Sequence, residues 1–190
     1  MLDRMMNAVH RWLCSSRMWA NAVEKPLTDW LAGAGIGDDV VEIGPGYGAT
    51  TRVLADHCER LTAVEVDPVL AVRLENTYGD RIEVIRASGA DVPLDSAAYS
   101  GVVCFTMLHH VSPVAAQDAL FAEARRLLRP GGVFAGVDSL PSLGFRLLHI
   151  GDTMVPVSPA TLPARLSAAG FSDVRVEATR SQVRFHARRL

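Results

Sequence analysis

Ten residues, Val40-Val41-Glu42-Ile43-Gly44-Pro45-Gly46-Tyr47-Gly48-Ala49, constrain the fold more than any others. A β-branched run breaks into glycines at alternate positions and passes into Ala49-Thr50-Thr51-Arg52-Val53-Leu54. This is the pattern of a buried strand turning sharply into a helix. Glycines let the backbone approach a flat ligand closely. In a doubly wound α/β sheet such a turn stands at the carboxyl end of the first strand, where the ligand crevice opens.

The rest of the chain alternates around that turn. Residues 1 to about 33 read as one or two helices, with Met5, Val9, Trp12 and Leu13 on one face, then Trp19, Val23, Leu27, Trp30 and Leu31, and with Pro26 as a helix start or kink. Strands are expected at 39–43, 61–66, 82–86, 101–105 and 133–137. Asp67-Pro68 opens a helix that runs to Tyr78, with Gly79 behind it. Ser112-Pro113 opens another, with Leu120, Phe121, Ala124, Leu127 and Leu128 on one stripe, Arg125, Arg126 and Arg129 at its end, and Pro130-Gly131-Gly132 as its stop. Ser158-Pro159 opens the last helix, and 171–178 with 182–188 form an antiparallel pair. The βαβ order requires a parallel sheet with helices on both faces and right-handed crossovers. A helical segment at 1–37, serving as substrate lid or interface, therefore precedes an α/β domain at 38–190.

Composition excludes several functions. With 49% hydrophobic residues, 21% charged residues and a net charge of -2, the chain is a globular protein without the general basic field of a nucleic-acid binder, so no nucleic-acid partner is expected. Cys14, Cys58 and Cys104 lie far apart and form no CxxC pair, which points to a reducing, cytoplasmic setting. No run approaches the roughly 18 apolar residues of a membrane span.

Gly44-x-Gly46-x-x-Ala49 satisfies a loose dinucleotide fingerprint, with Glu65 about 20 residues on as the ribose-binding acid. Glu42 argues against a dinucleotide. A pyrophosphate over the turn would meet its carboxylate, and like charges about 4 Å apart repel by roughly 4 kcal/mol at an effective dielectric of 20. An adenosine cofactor with a positive charge and no phosphate suits the place better.

Together these motifs make the chain resemble a class I S-adenosylmethionine-dependent methyltransferase. The resemblance is carried by Glu42-Ile43-Gly44-Pro45-Gly46-Tyr47-Gly48, by Ala63-Val64-Glu65-Val66-Asp67-Pro68 and by Phe105-Thr106-Met107-Leu108-His109-His110-Val111. Leu127 to Val133 and Ala169-Gly170-Phe171 complete it. It implies a Rossmann-like three-layer sandwich, its seven-stranded sheet in the order 3-2-1-4-5-7-6 with strand 7 antiparallel. It also implies S-adenosyl-L-methionine as cofactor, with Glu42 and Gly44, Pro45, Gly46, Tyr47 and Gly48 at the methionine part, Glu65 and Val66 at the ribose, and Thr106 and Met107 beside it. Ser88, Gly89 and Ala90 fall near the adenine. Ser88 departs from the family's usual aspartate, which predicts weaker cofactor binding, and Ser100 departs from another aspartate, a change that concerns folding.

The implied reaction is methyl transfer to a small, apolar or aromatic acceptor. His109 and His110 are the candidate bases, His109 being nearer the strand end, and a histidine titrates near neutrality. Trp12, Trp19, Met5, Met6, Met18, Phe145, Leu148 and Met154 are candidates for lining the acceptor pocket. Asp138, His149, Asp152 and the histidine pair have no regular ligand spacing, so no metal is expected. Thr106-Met107-Leu108-His109 stands where enzymes that methylate amino groups of nucleic-acid bases carry Asn or Asp, two prolines and an aromatic, which favours a small molecule. A catalytically silent cofactor-binding protein and an NAD(P)- or FAD-dependent oxidoreductase are the rival readings.

Overall fold

The computed structural model describes residues 7–190. Its strands are β1 (Asp39–Ile43), β2 (Arg60–Glu65), β3 (Glu83–Arg86), β4 (Tyr99–Phe105), β5 (Leu128–Ser139), β6 (Ser172–Ala178) and β7 (Gln182–Arg188). They form one seven-stranded sheet in the order β3-β2-β1-β4-β5-β7-β6. β7 runs antiparallel to both β5 and β6, and the other pairs are parallel. This is the expected topology.

Alternation along the strands divides the core in two. Val41, Ile43, Val102, Cys104 and Phe134 face helices α5 (Val114–Leu127) and α7 (Leu162–Ala168), which answer with Leu120, Phe121, Ala124, Leu162 and Leu166. Val40, Ala63, Val103, Phe105, Val133 and Ala135 face the opposite way, toward α2 (Arg17–Ala34) and α3 (Ala49–His57). β1, β4 and β5 are buried on both faces, which is why their sequences are continuously apolar rather than alternating. The helices α1 (Ala8–Cys14), α4 (Pro68–Tyr78) and α6 (Leu143–Leu148) complete the set among the described residues.

Three local expectations are corrected. Pro26 does not start a helix but lies inside α2, which carries Leu27, Leu31 and Ala34 into the second core. α2 is thus part of the packed layer. Pro130-Gly131-Gly132 does not lie between helix and strand: α5 ends at Leu127, and β5 already pairs with β4 at Leu128. The register then jumps to Gly101–Val133, and the intervening residues bulge. Gly131 donates its N–H to the Arg189 carbonyl there, so Arg129 falls in the strand and only Arg125 and Arg126 stand in the last helical turn. Finally, the link after β5 contains the unanticipated α6, capped by the Ser142 hydroxyl, which accepts from Phe145 N–H at 3.1 Å.

The Ser100 hydroxyl accepts from the Asp39 N–H at 3.0 Å and donates to the Asp39 carbonyl at 2.8 Å, tying β4 to the start of β1. Gly136 is held more tightly still: an added Cβ would fall 2.3 Å from the Cys104 carbonyl oxygen and 2.8 Å from the Phe185 ring. Gly136→Ala is expected to lower stability in urea denaturation by about 2 kcal/mol or more, since the strand backbone has nowhere to move. Gly33→Ala, in a helix with open space around it, should instead gain about 0.5–1 kcal/mol.

Candidate active site at the strand ends

The carboxyl ends of β1, β2, β4 and β5 open into a cavity of about 650 Å³. Its floor is the glycine turn, with Gly44, Pro45, Gly46 and Tyr47 lining it, followed by Glu65 and Val66 after β2, Ser88, Gly89 and Ala90 after β3, and Thr106 and Met107 after β4. Of the residues expected at the cofactor, all but Glu42 and Gly48 line this cavity; Gly48 packs instead against Leu74 and Tyr78. Gly44 adopts φ 68°, and an added Cβ would meet Met107 Cε at 2.8 Å, so the turn and the end of β4 close on each other only without a side chain. Thr106 is likewise in the left-handed region, φ 50°, with its N–H donating to the Val137 carbonyl at 2.7 Å.

Two buried carboxylates organise this end of the sheet. Glu65 accepts from Gly46 N–H and from Asp67 N–H, both at 2.9 Å, and so ties the glycine turn to the start of α4. Burial pushes its pKa up, while those backbone donors pull it down. Glu42 is 1% exposed and lies behind the turn rather than among the cavity-lining residues. It accepts from both Thr50 and Thr51 hydroxyls, the latter at 2.6 Å. Burial raises its pKa to about 7 against those two donors, with Glu65 adding a smaller push. The like-charge argument against a pyrophosphate consequently passes to Glu65, which also takes up the Gly46 N–H that a phosphate would need.

The apolar part of the lining comes from α2 and the adjoining strand ends: Trp19, Val23, Leu27 and Trp30 of α2 with Phe105 of β4 and Val137 of β5, the Trp30 and Phe105 rings meeting edge to face at 5.6 Å. Trp19 is the one expected apolar candidate found there. Trp12 and Met18 are exposed, Phe145 packs on the His109 and His149 rings, Leu148 and Met154 do not line the cavity, and Met5 and Met6 lie outside the described residues.

His109 and His110 part company. His109 is buried, its Nδ1 donating to Asp138 at 2.6 Å, and its Nε2 has no partner. His110 lines the cavity, with Nδ1 3.2 Å from the Thr153 carbonyl. Desolvation, then the neighbouring His109 and His10, push the His110 pKa down to about 3. Two further histidines gather around the pair. His10 of α1 contacts Asp152 at 3.0 Å and lines the cavity, and His149 follows α6 with its Nδ1 2.7 Å from the Phe145 carbonyl. The His10–His149 and His109–His110 ring centroids are 4.3 and 4.2 Å apart. His10 carried no signal in the sequence: it is one residue of a short helix, and its partners lie more than a hundred residues away.

The loops bearing these histidines are tied together by Gln117, whose amide donates to the carbonyls of Leu108, Val111 and Val155. Asn7 caps α1 and donates to the Leu148 carbonyl at 2.6 Å, anchoring α1 on the end of α6.

The profile of the methyltransferase-domain family matches residues 41–136. A protein of Mycolicibacterium smegmatis described as a probable S-adenosylmethionine-dependent methyltransferase is 32% identical over 143 residues, covering 71% of this chain and 52% of its own length. The ribosomal RNA small subunit methyltransferase A of Chlorobium chlorochromatii is 44% identical over 71 residues, 37% of this chain and 27% of that protein. The chain thus spans between about a quarter and a half of the length of these relatives. Among solved structures, DhpI in complex with SAM and HEP superposes with a TM-score of 0.73 at 23% identity, covering 94% of each chain.

The protein belongs to the S-adenosylmethionine-dependent methyltransferases. Its cofactor is accordingly S-adenosylmethionine, and the residues present fit that group: a glycine floor, a cavity-lining carboxylate at Glu65 and small residues from Ser88 to Ala90.

Glu42 gives this site a pH signature. It ionises near 4.5 in an unfolded chain and near 7 in the fold, so the folded state holds the extra proton between those values. Its contribution to stability is full below about 4.5 and is lost as pH rises through about 7, a fall of about 3 kcal/mol. Urea denaturation at pH 5 and pH 8 should show this fall in the wild type and not in Glu42→Gln; equal pH dependence of the two would remove the assignment.

Proposed function

We propose that this protein transfers the methyl group of S-adenosylmethionine to a small, apolar or aromatic acceptor. The observation that carries the reading is the shape and lining of the strand-end cavity. The same cavity is lined by the glycine turn and Glu65 and by Trp19 and Trp30 of α2 together with His10 and His110. About 650 Å³ lies within the range of small-molecule sites, about 300–1,000 Å³. α2 acts as a fixed wall over the acceptor, the role that suits the expected lid better than a free interface.

When bound, the cofactor supplies a methyl group on a positively charged sulfur, and the positive charge disappears as the new bond forms. Glu65 holds the ribose hydroxyls with the lone pairs left over from its two backbone donors, and Ser88 presents a hydroxyl toward the adenine. Trp19, Trp30 and Phe105 exclude water and align the acceptor, which is where much of the rate of such a displacement arises. His110, rather than the more deeply buried His109, faces the acceptor. The Thr153 carbonyl accepts from its Nδ1–H, which leaves Nε2 as an acceptor for a substrate O–H or N–H.

A small molecule is favoured over a nucleic acid because Thr106 to His109 carries none of the features that grip a flipped base, and because the chain has a net charge of -2. The ribosomal RNA relatives overlap this chain over too short a stretch to carry their acceptor across. No described helix is long and apolar enough to cross a membrane, and the three free cysteines suit a cytoplasmic enzyme.

Calorimetry with S-adenosylhomocysteine tests the first step. Glu65→Ala should weaken binding by tenfold or more, while His110→Ala should keep affinity and lose most turnover with labelled cofactor and a cell extract as acceptor source. Equal affinity losses in the two variants would remove His110 from the acceptor site. Tight binding without transfer of label would favour the silent binding protein, and saturation by a dinucleotide would favour an oxidoreductase.

A further inference from the structure

The histidines at the acceptor end of the cavity make an arrangement that methyl transfer alone does not require. His10, His110 and His149 each place one ring nitrogen within 4.8 Å of the other two. The chemistry of the remaining nitrogens decides what that space can hold. Nδ1 of His149 faces the Phe145 carbonyl at 2.7 Å, Nδ1 of His110 the Thr153 carbonyl at 3.2 Å, and Nδ1 of His10 the Asp152 carboxylate at 3.0 Å. Carbonyl and carboxylate oxygens only accept, so each Nδ1 carries a hydrogen and each Nε2 keeps its lone pair. Nε2 of His149 is fully buried without any hydrogen-bond partner. Three lone pairs and no proton among them describe a cation site.

We propose that His10, His110 and His149 bind a divalent transition-metal ion through their Nε2 atoms, with zinc the best match. Imidazole nitrogens suit zinc, and three protein ligands with one position left open is the arrangement of a catalytic rather than a structural zinc site. The supporting shell is present: histidine ligands commonly donate their other N–H to a carboxylate or a backbone carbonyl, which fixes the tautomer and raises basicity. Here Asp152 does so for His10, and Phe145 and Thr153 do so for the other two. Tetrahedral zinc holds its nitrogens about 3.3 Å apart, so binding draws the rings together by at most about 1.5 Å from the present spread. The 10, 110 and 149 positions show no metal-ligand spacing because each comes from a different element. The expectation of no metal, drawn from spacing alone, had no means of finding them.

His10 and His110 also line the cavity, which directs the open position toward the acceptor. The role that follows rests on the methyl-transfer reading. An acceptor hydroxyl or thiol at the open position gives its proton to solvent and keeps the electron pair. That pair forms the new bond to the methyl carbon as the carbon–sulfur bond breaks and the sulfonium becomes a neutral thioether. The contact assigned to His110 is then made through the ion.

The test is zinc titration of chelator-treated full-length protein by calorimetry, with Co²⁺ substitution as a spectroscopic probe. One equivalent of zinc should bind, and Co²⁺ should show the visible bands of a tetrahedral, nitrogen-ligated ion. His149→Ala should weaken zinc binding by a hundredfold or more, and Asp152→Asn, which keeps the ligands but not their support, by about 10- to 100-fold. S-adenosylhomocysteine binding serves as the folding check, since His149 and Asp152 do not line the cavity. If His149→Ala fails to fold, Asp152→Asn carries the test. Absence of zinc binding to the wild type, or undiminished binding in the folded variants, overturns the metal site. Zinc binding to a protein that ignores S-adenosylhomocysteine would leave the site standing and overturn methyl transfer instead.

Discussion

Everything at the working end of this fold depends on keeping two buried carboxylates satisfied on the paired strands β1 and β2. Glu42 ends β1 against the hydroxyls of Thr50 and Thr51, which fixes how the strand passes into α3. Glu65 ends β2 against the N–H groups of Gly46 and Asp67, which fixes how the glycine turn sits against α4. An uncompensated buried charge is far costlier than a lost surface contact. The turn between them is therefore held from both sides rather than left as a loop. One acid lines the cavity and the other does not, so two chemically identical groups have different surroundings: Glu65 borders the open space, and Glu42 supports the turn from behind.

The same economy explains why the N-terminal helices belong to the site. α2 buries Leu27, Leu31 and Ala34 in the core while turning Trp19 and Trp30 to the cavity, so its position is set by packing that has no direct part in chemistry. α1 has no comparable apolar anchor; its Val9 and Trp12 are exposed. Polar contacts hold it instead, through Asn7 to the Leu148 carbonyl and His10 to Asp152. The place of this short helix is therefore specified by polar side chains, one of which, His10, lines the cavity, rather than by apolar packing.

The sheet was legible from sequence because its central strands are buried on both faces and read as continuous apolar runs, with Asp67-Pro68 marking α4 through a cap that the Asp67 carboxylate does make to Val69 and Leu70. The convergence of Gly44 to Tyr47, Glu65 and Ser88 to Ala90 on one cavity was legible for the same reason: they sit at the ends of those strands. Pro130-Gly131-Gly132 misled because a helix stop and a bulge use the same residues, and only the Arg189 carbonyl, a tertiary partner, distinguishes them. α6 was missed because six residues, Leu143-Gly144-Phe145-Arg146-Leu147-Leu148, are too few for an apolar period to be told from a loop. The histidine cluster lay beyond any local pattern, since α1, the turn after β4 and the end of α6 meet only in the folded chain.

That division bears on how far the likeness to other methyltransferases reaches. The family profile ends at residue 136 and begins at 41. The family profile therefore covers the glycine turn, Glu65 and Ser88 to Ala90 and leaves out Trp19, Trp30, His10 and His149. The acceptor depends on the added parts, where Trp19 and Trp30 line the cavity with His10 and His110. On the function proposed above, the apolar wall suits a hydrophobic body and the imidazole nitrogens suit a group that donates a proton.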